Sequence, residues 1–133
     1  MTAGSASTTA RLRRSWGAAA ILLAAGYFSE AVFAGAMLSG EPWARTAHTL
    51  NAGVMMTLTA AMGVAAFVTL RRVTHGLLFG LAMLVVAAAA ALQVAAGKLS
   101  AEGFNLMWVH VPLGVAVIGL ALCATFIAYR LGT

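Results

Sequence analysis

The chain has 133 residues, of which 62% are hydrophobic and only 8% charged, and its mean hydropathy is +0.96. A water-soluble domain carries roughly a quarter charged residues, so an ordinary polar surface is excluded and an integral membrane protein is expected. The net charge of +5 does not point to nucleic acid, because the basic residues gather at the ends of apolar runs and form no stripe on a soluble face.

Residues 1–10 are small and polar and read as disordered. With Arg11, Arg13 and Arg14 they make a basic tail over 1–14. Four apolar runs follow within 15–131, at about 16–39, 44–70, 76–97 and 104–129. Each reaches the ~20 residues a helix needs to cross a bilayer. Helices are expected because hydrocarbon offers no partner to open backbone groups, and the strict alternation of barrel strands is absent. The predicted fold is an all-α, four-helix transmembrane bundle with up-down-up-down order, since the connections are short.

The first run carries Glu30, roughly 13 Å inside the end of its span by helix rise, too deep for its carboxyl to reach the interface easily. A basic start, an apolar run and Ala34-Gly35-Ala36 also fit a cleaved signal peptide. The length of the run and the position of Glu30 argue against that. The second run opens with Arg45 and His48, and the third carries Gln93. The fourth carries His110 and Pro112, whose ring removes a bond to the Trp108 carbonyl. Cys123 is the only cysteine, so no disulfide within the chain and no C-x-x-C-H heme attachment is available.

Orientation follows from the arginines. Arg11, Arg13, Arg14, Arg71, Arg72 and Arg130 fall on one side, with Arg45 and Lys98 on the other. The positive-inside rule then places both termini in the cytoplasm of an inner-membrane protein. Trp16 and Tyr129 belong to the inner interface, and Trp43 and Trp108 to the outer one. Glu41 and Glu102 fall in the outer loops.

An offset of 62 superposes Val32, Ala34, Gly35 and His48 on Val94, Ala96, Gly97 and His110. Both halves run in the same sense, so the pattern is a parallel two-span repeat about an axis along the membrane normal. It puts the two histidines on diagonal helices at similar depth. An ionisable or ligating side chain inside hydrocarbon is costly enough to suggest function. Two at one depth suggest a shared ligand, and iron in a bis-histidine heme b is the first candidate. Gly53 and Gly114, one turn below the histidines, leave shallow faces for a porphyrin, and Gly35 and Gly97 offer room for its edges. Met55 and Met62 share the His48 face. Gln93 lies at the same depth, and Arg45 and Lys98 are on the side where propionates would lie.

Plainer readings stand beside this one. Glycines line ordinary transmembrane contacts, methionine at helical spacing is usually core, and the histidines can serve as a polar inter-helix contact. His75, at the turn beside Arg71 and Arg72, reads as a hydrogen-bonded interfacial residue. Zinc is disfavoured, because it wants three or four ligands and neither cysteine nor carboxylate lies close in sequence.

The stretch Leu92-Gln93-Val94 through Gly97, then Trp108-Val109-His110 and an apolar helix ending at Arg130, resembles half of a heme A synthase. So does Ala47-His48-Thr49-Leu50-Asn51-Ala52-Gly53 followed by a long helix and Arg71-Arg72. Small four-span bacterial membrane proteins share this plan. The resemblance spans nearly all of 16–130. It implies a bundle with histidines on its second and fourth helices, and an enzyme that modifies heme, with Glu30 or Glu41 in proton transfer. That family keeps an acidic residue three positions before the first ligand, where this chain has Arg45. It also has two fused bundles, so separate cofactor and substrate hemes here imply a homodimer. Three functions are therefore expected to compete. They are electron transfer with a membrane quinol or a redox partner protein, heme modification, and a cofactor-free accessory subunit or small-molecule carrier.

Overall fold

A computed structural model describes residues 3–133, with side chains from residue 7 onward. It is all-helical among these residues: α1 (Ala3–Leu38), α2 (Ala44–Thr69), α3 (Gly76–Ala101) and α4 (Met107–Ala128). Each helix packs on its neighbours in sequence and α4 closes back on α1, leaving α1/α3 and α2/α4 as the diagonals. This is the expected four-helix bundle.

The helix bounds differ from the apolar runs in three places. α1 begins at Ala3, so residues 3–14, read from composition as a disordered tail, belong to its first turns. That stretch has no proline, and Thr9 packs against Gly132 near the C-terminus, giving the polar segment a tertiary partner. α3 continues past Gly97 to Ala101, and α4 starts at Met107, not at 104.

The connections 39–43 and 102–106 lie at one end of the bundle and share a device. Gly40 (φ 88) and Gly103 (φ 102) adopt left-handed backbone, which a residue without Cβ enters at little cost. The amide N–H of Glu41 then reaches the Ala36 carbonyl, and that of Phe104 reaches the Leu99 carbonyl. These satisfy carbonyls that the helix ends would otherwise leave open. At the opposite end the 70–75 turn is tied to the C-terminus. Gly132 N–H donates to the Thr74 carbonyl, and His75 Nδ1 lies 3.0 Å from the Arg130 carbonyl oxygen. His75 is thus the hydrogen-bonded turn residue its position suggested.

The core is narrow and made largely of small side chains. Ala20, Ala24, Ala66, Ala90, Ala121, Ala124 and Ala128 are buried with Leu23, Phe79, Met83, Val86 and Val117. Small residues let helix backbones approach closely where lipid supplies no hydrophobic drive. At α2/α3, a Cβ on Gly80 would stand 2.8 Å from the Phe67 backbone nitrogen, so glycine is required there. Outside this core the helices are apolar all round, with Leu22, Leu92, Trp108 and Val115 well exposed. All four helices are long and apolar enough to cross a bilayer. A helix hydrophobic on every face belongs in a membrane, and the chain is a multi-pass membrane protein.

Candidate functional site

A group of part-buried polar side chains, Glu30, His48, Asn51, Gln93 and His110, lies toward the end carrying the 39–43 and 102–106 connections, apart from the buried Tyr27–Thr59 hydrogen bond. His48 lies in the fifth position of α2 and His110 in the fourth of α4. α2 and α4 are diagonal, yet their imidazoles meet, with ring centroids 6.2 Å apart and planes at 77°. The structure therefore brings together the two histidines that the sequence singled out.

Each imidazole is gripped at Nδ1 by the helix that precedes it in the chain. His48 Nδ1 stands 2.6 Å from Glu30 Oε2 of α1. The two atoms are close but badly aligned, so the contact is not a well-formed hydrogen bond, and it is an ion pair only when the imidazole is protonated. His110 Nδ1 stands 2.9 Å from the Gln93 main-chain carbonyl oxygen of α3. As the carbonyl can only accept, His110 carries a proton on Nδ1, and in the neutral ring Nε2 is the nitrogen left with a free lone pair. Engagement of Nδ1 by a carboxylate or carbonyl is the usual way a protein fixes a metal-binding histidine.

Glycines shape the His110 side. A Cβ on Gly97 would stand 2.7 Å from His110 Cε1 and 3.0 Å from Nδ1. Gly97 is thus the notch through which the ring reaches the α3 backbone. The sequence suggested that Gly97 offers room to a porphyrin edge. Its space is filled by His110 itself. Gly114 likewise receives the Gln93 side chain, whose Nε2 would lie 2.8 Å from a Cβ there. That amide nitrogen is 3.5 Å from His110 Nε2, at the edge of hydrogen-bonding range, and Gln93 Oε1 is buried without a partner. A Cβ added at Gly35 or at Gly53 would meet nothing within 4 Å, so Gly53 leaves the shallow face expected below His48.

The Glu30 side is richer in hydrogen bonds. Asn51 Nδ2 donates toward Glu30 Oε1, the Gly26 carbonyl (2.9 Å) and Ser29 Oγ (3.1 Å). One amide nitrogen has two protons, so these three acceptors share them. Ser29 Oγ in turn donates to the Gly26 carbonyl at 2.7 Å. Both Glu30 oxygens are therefore engaged, one by an amide and one by an imidazole. Sequence reasoning missed Asn51 and Ser29. The available signal was spacing: Asn51 is three residues after His48, hence on the same helix face, and an amide in hydrocarbon needs a partner as much as an imidazole does.

Other expected residues lie elsewhere. Glu41 is exposed in the connection and accepts from Trp43 Nε1 at 3.1 Å. Arg45 and Lys98 are exposed. Met55 packs its sulfur into the notch at Gly26 and, with Met62, lines a groove between α1 and α2. α4 passes through Pro112 as one helix. Among the described residues no three His, Cys, Asp or Glu side chains converge as a metal-ligand set. Two imidazoles alone are a donor set for a metal whose remaining positions come from a ligand such as a porphyrin. Comparison with protein-family models, curated proteins and solved structures returned no match.

Proposed function

We propose that this chain is an inner-membrane heme b protein, with His48 and His110 as the axial ligands and both termini in the cytoplasm. The observation that carries this reading is the meeting of the two rings across the bundle diagonal, each held at Nδ1 by another helix. With centroids 6.2 Å apart and planes at 77°, the two imidazoles are near enough to serve one shared ligand. Heme held by His48 and His110 would supply one-electron chemistry, suited to electron transfer rather than O₂ activation.

The protein's own residues supply the rest. Glu30 and the Gln93 carbonyl orient the rings and raise their basicity as donors. The Gln93 amide, poised beside His110 Nε2 with Oε1 unpartnered, is the group that turns aside to admit a ligand. The offset of 62 between the histidines supports a two-span repeat with its axis between them. The six arginines at the opposite end support the N-in, C-in orientation.

One observation favours heme modification as a second reading. The position three before His48 is Arg45, yet Glu30 delivers a carboxylate to His48 from α1, a substitute for the acid the resembling family keeps there. Incubating heme-loaded protein with a reductant and O₂, and extracting the pigment, tests it. A chemically altered heme supports the enzyme, and unaltered heme b removes it.

The primary test is spectroscopic. Protein purified from heme-replete cells is expected to show a Soret band and a reduced-minus-oxidised difference spectrum. Both should be lost in His48→Ala and in His110→Ala. A band that survives both substitutions, or no band in the wild type, overturns the assignment.

A further inference from the structure

Between α1 and α2 runs a groove of about 490 Å³, bordered by Leu22, Leu23, Met55, Leu58, Met62 and Ala65. Leu22 and Leu58 are exposed, so it opens sideways from the bundle into the surrounding hydrocarbon. Met55 to Ala65 spans ten residues, or roughly 15 Å of groove length. Nearly every atom that borders it is apolar. One end approaches the polar cluster. Met55 closes that end by seating its sulfur at Gly26, whose carbonyl accepts from Asn51. Asn51, one turn before Met55, donates to Glu30, which holds His48.

A long apolar slot leading to a carboxylate, an amide and an imidazole fits an amphiphile with a flexible apolar tail and a hydrogen-bonding head. The depth decides which one. Glu30 lies eight residues from the α1 terminus at Leu38, roughly 12 Å along the helix. A phospholipid headgroup is charged and belongs at the interface, and drawing it to this depth is costly. A quinol head is neutral, lies within the membrane interior, and offers O–H groups to the carboxylate of Glu30 and to the amide oxygen of Asn51.

We propose that the α1/α2 groove and the Glu30–Asn51 pair form a binding site for an isoprenoid quinol, tail in the groove and head beside His48. This rests on the heme reading for its purpose, because it places the quinol next to the axial ligand. It does not rest on it for binding. Met55 is the side chain that must move for the head to pass.

The test uses the full chain, purified in mild detergent from membranes containing their own quinones. Solvent-extracted quinone is quantified per protein, and the Soret band is recorded on the same sample. Wild type is expected to retain close to one quinone per chain. Ala61→Trp and Ala65→Trp put an indole in the groove from exposed positions on α2, and each should lower retention at least tenfold with the Soret band unchanged. Leu81→Trp, on the exposed face of α3, should retain quinone as wild type does. If either groove variant is not monodisperse, the other carries the result, and competition by added decyl-benzoquinone on wild type supplies an independent measure. Equal retention in wild type and groove variants overturns the proposal, as does co-purification of phospholipid or sterol in place of quinone. A heme band without quinone defeats this inference alone. Groove-dependent quinone without a heme band supports it and defeats the heme reading.

Discussion

In the α1–α2 hairpin a side-chain carboxylate reaches His48, whereas in the α3–α4 hairpin a main-chain carbonyl reaches His110. Glu30 and Gln93 stand at equivalent levels, each eight residues from the end of its helix, at Leu38 and Ala101. The first hairpin thus carries a carboxylate embedded in a network of Asn51, Ser29 and the Gly26 carbonyl. The second is neutral, and its polar contact depends on the absence of a side chain at Gly97. The same ring orientation is reached by electrostatics in one half and by shape in the other. A site with one charged and one neutral support is asymmetric around whatever lies between the rings. The two halves should therefore fail differently when damaged.

The largest effect is expected at Glu30. Glu30→Ala leaves the His48 Nδ1 without its partner in a low-dielectric setting, while the Asn51 amide keeps the Gly26 carbonyl and Ser29 Oγ. Removing one member of a buried pair costs about 3 kcal/mol or more, and the partial exposure of both side chains, 18% and 15%, places this case at the low end. Thermal unfolding in detergent micelles should show the loss, and Glu30→Gln should recover part of it because an amide oxygen still accepts. A wild-type-like melting curve for Glu30→Ala would mean that the Glu30 carboxylate does not organise this half.

The matched glycines separate the halves next. Gly97→Ala forces His110 off the α3 carbonyl, at an overpacking cost of about 1–3 kcal/mol, offset by up to ~1 kcal/mol of helix propensity. Gly35→Ala meets nothing within 4 Å, so only the propensity gain remains, and stability should stay level or rise slightly. Opposite signs in parallel unfolding measurements would bear out the difference. Destabilisation by both would show that Gly35 has a contact outside this single chain.

Much of the architecture was legible in the sequence. Four apolar runs gave four helices, because length and hydropathy suffice when every backbone group must bond internally. The histidines were legible because imidazole in hydrocarbon stands out against an Ala/Leu background. What surrounds them was less so. Glu30 and His48 are 18 residues apart across a connection, and nothing in one sequence says which of Glu30 and Glu41 turns toward the ring. The Gly35/Gly97 coincidence looked like a shared role. Only packing reveals that Gly97 receives a ring while Gly35 is exposed with no neighbour. The first turns of α1 were obscured by composition, which reports polarity and cannot report a contact between Thr9 and Gly132.

The smallest effect is expected from Gln93→Ala, and its smallness is informative. The bond that orients His110 comes from the main-chain carbonyl, which alanine retains. The side chain contributes only a long contact to Nε2 and an unpartnered Oε1. Removing an amide that is half satisfied also removes its desolvation penalty, so the stability change should stay below about 1 kcal/mol. Under the heme proposal, occupancy should hold or increase, since the group beside Nε2 is gone. If Gln93→Ala instead destabilised the protein as much as Glu30→Ala, side chains would support both histidines alike, and the contrast between a charged and a backbone-held half would not survive.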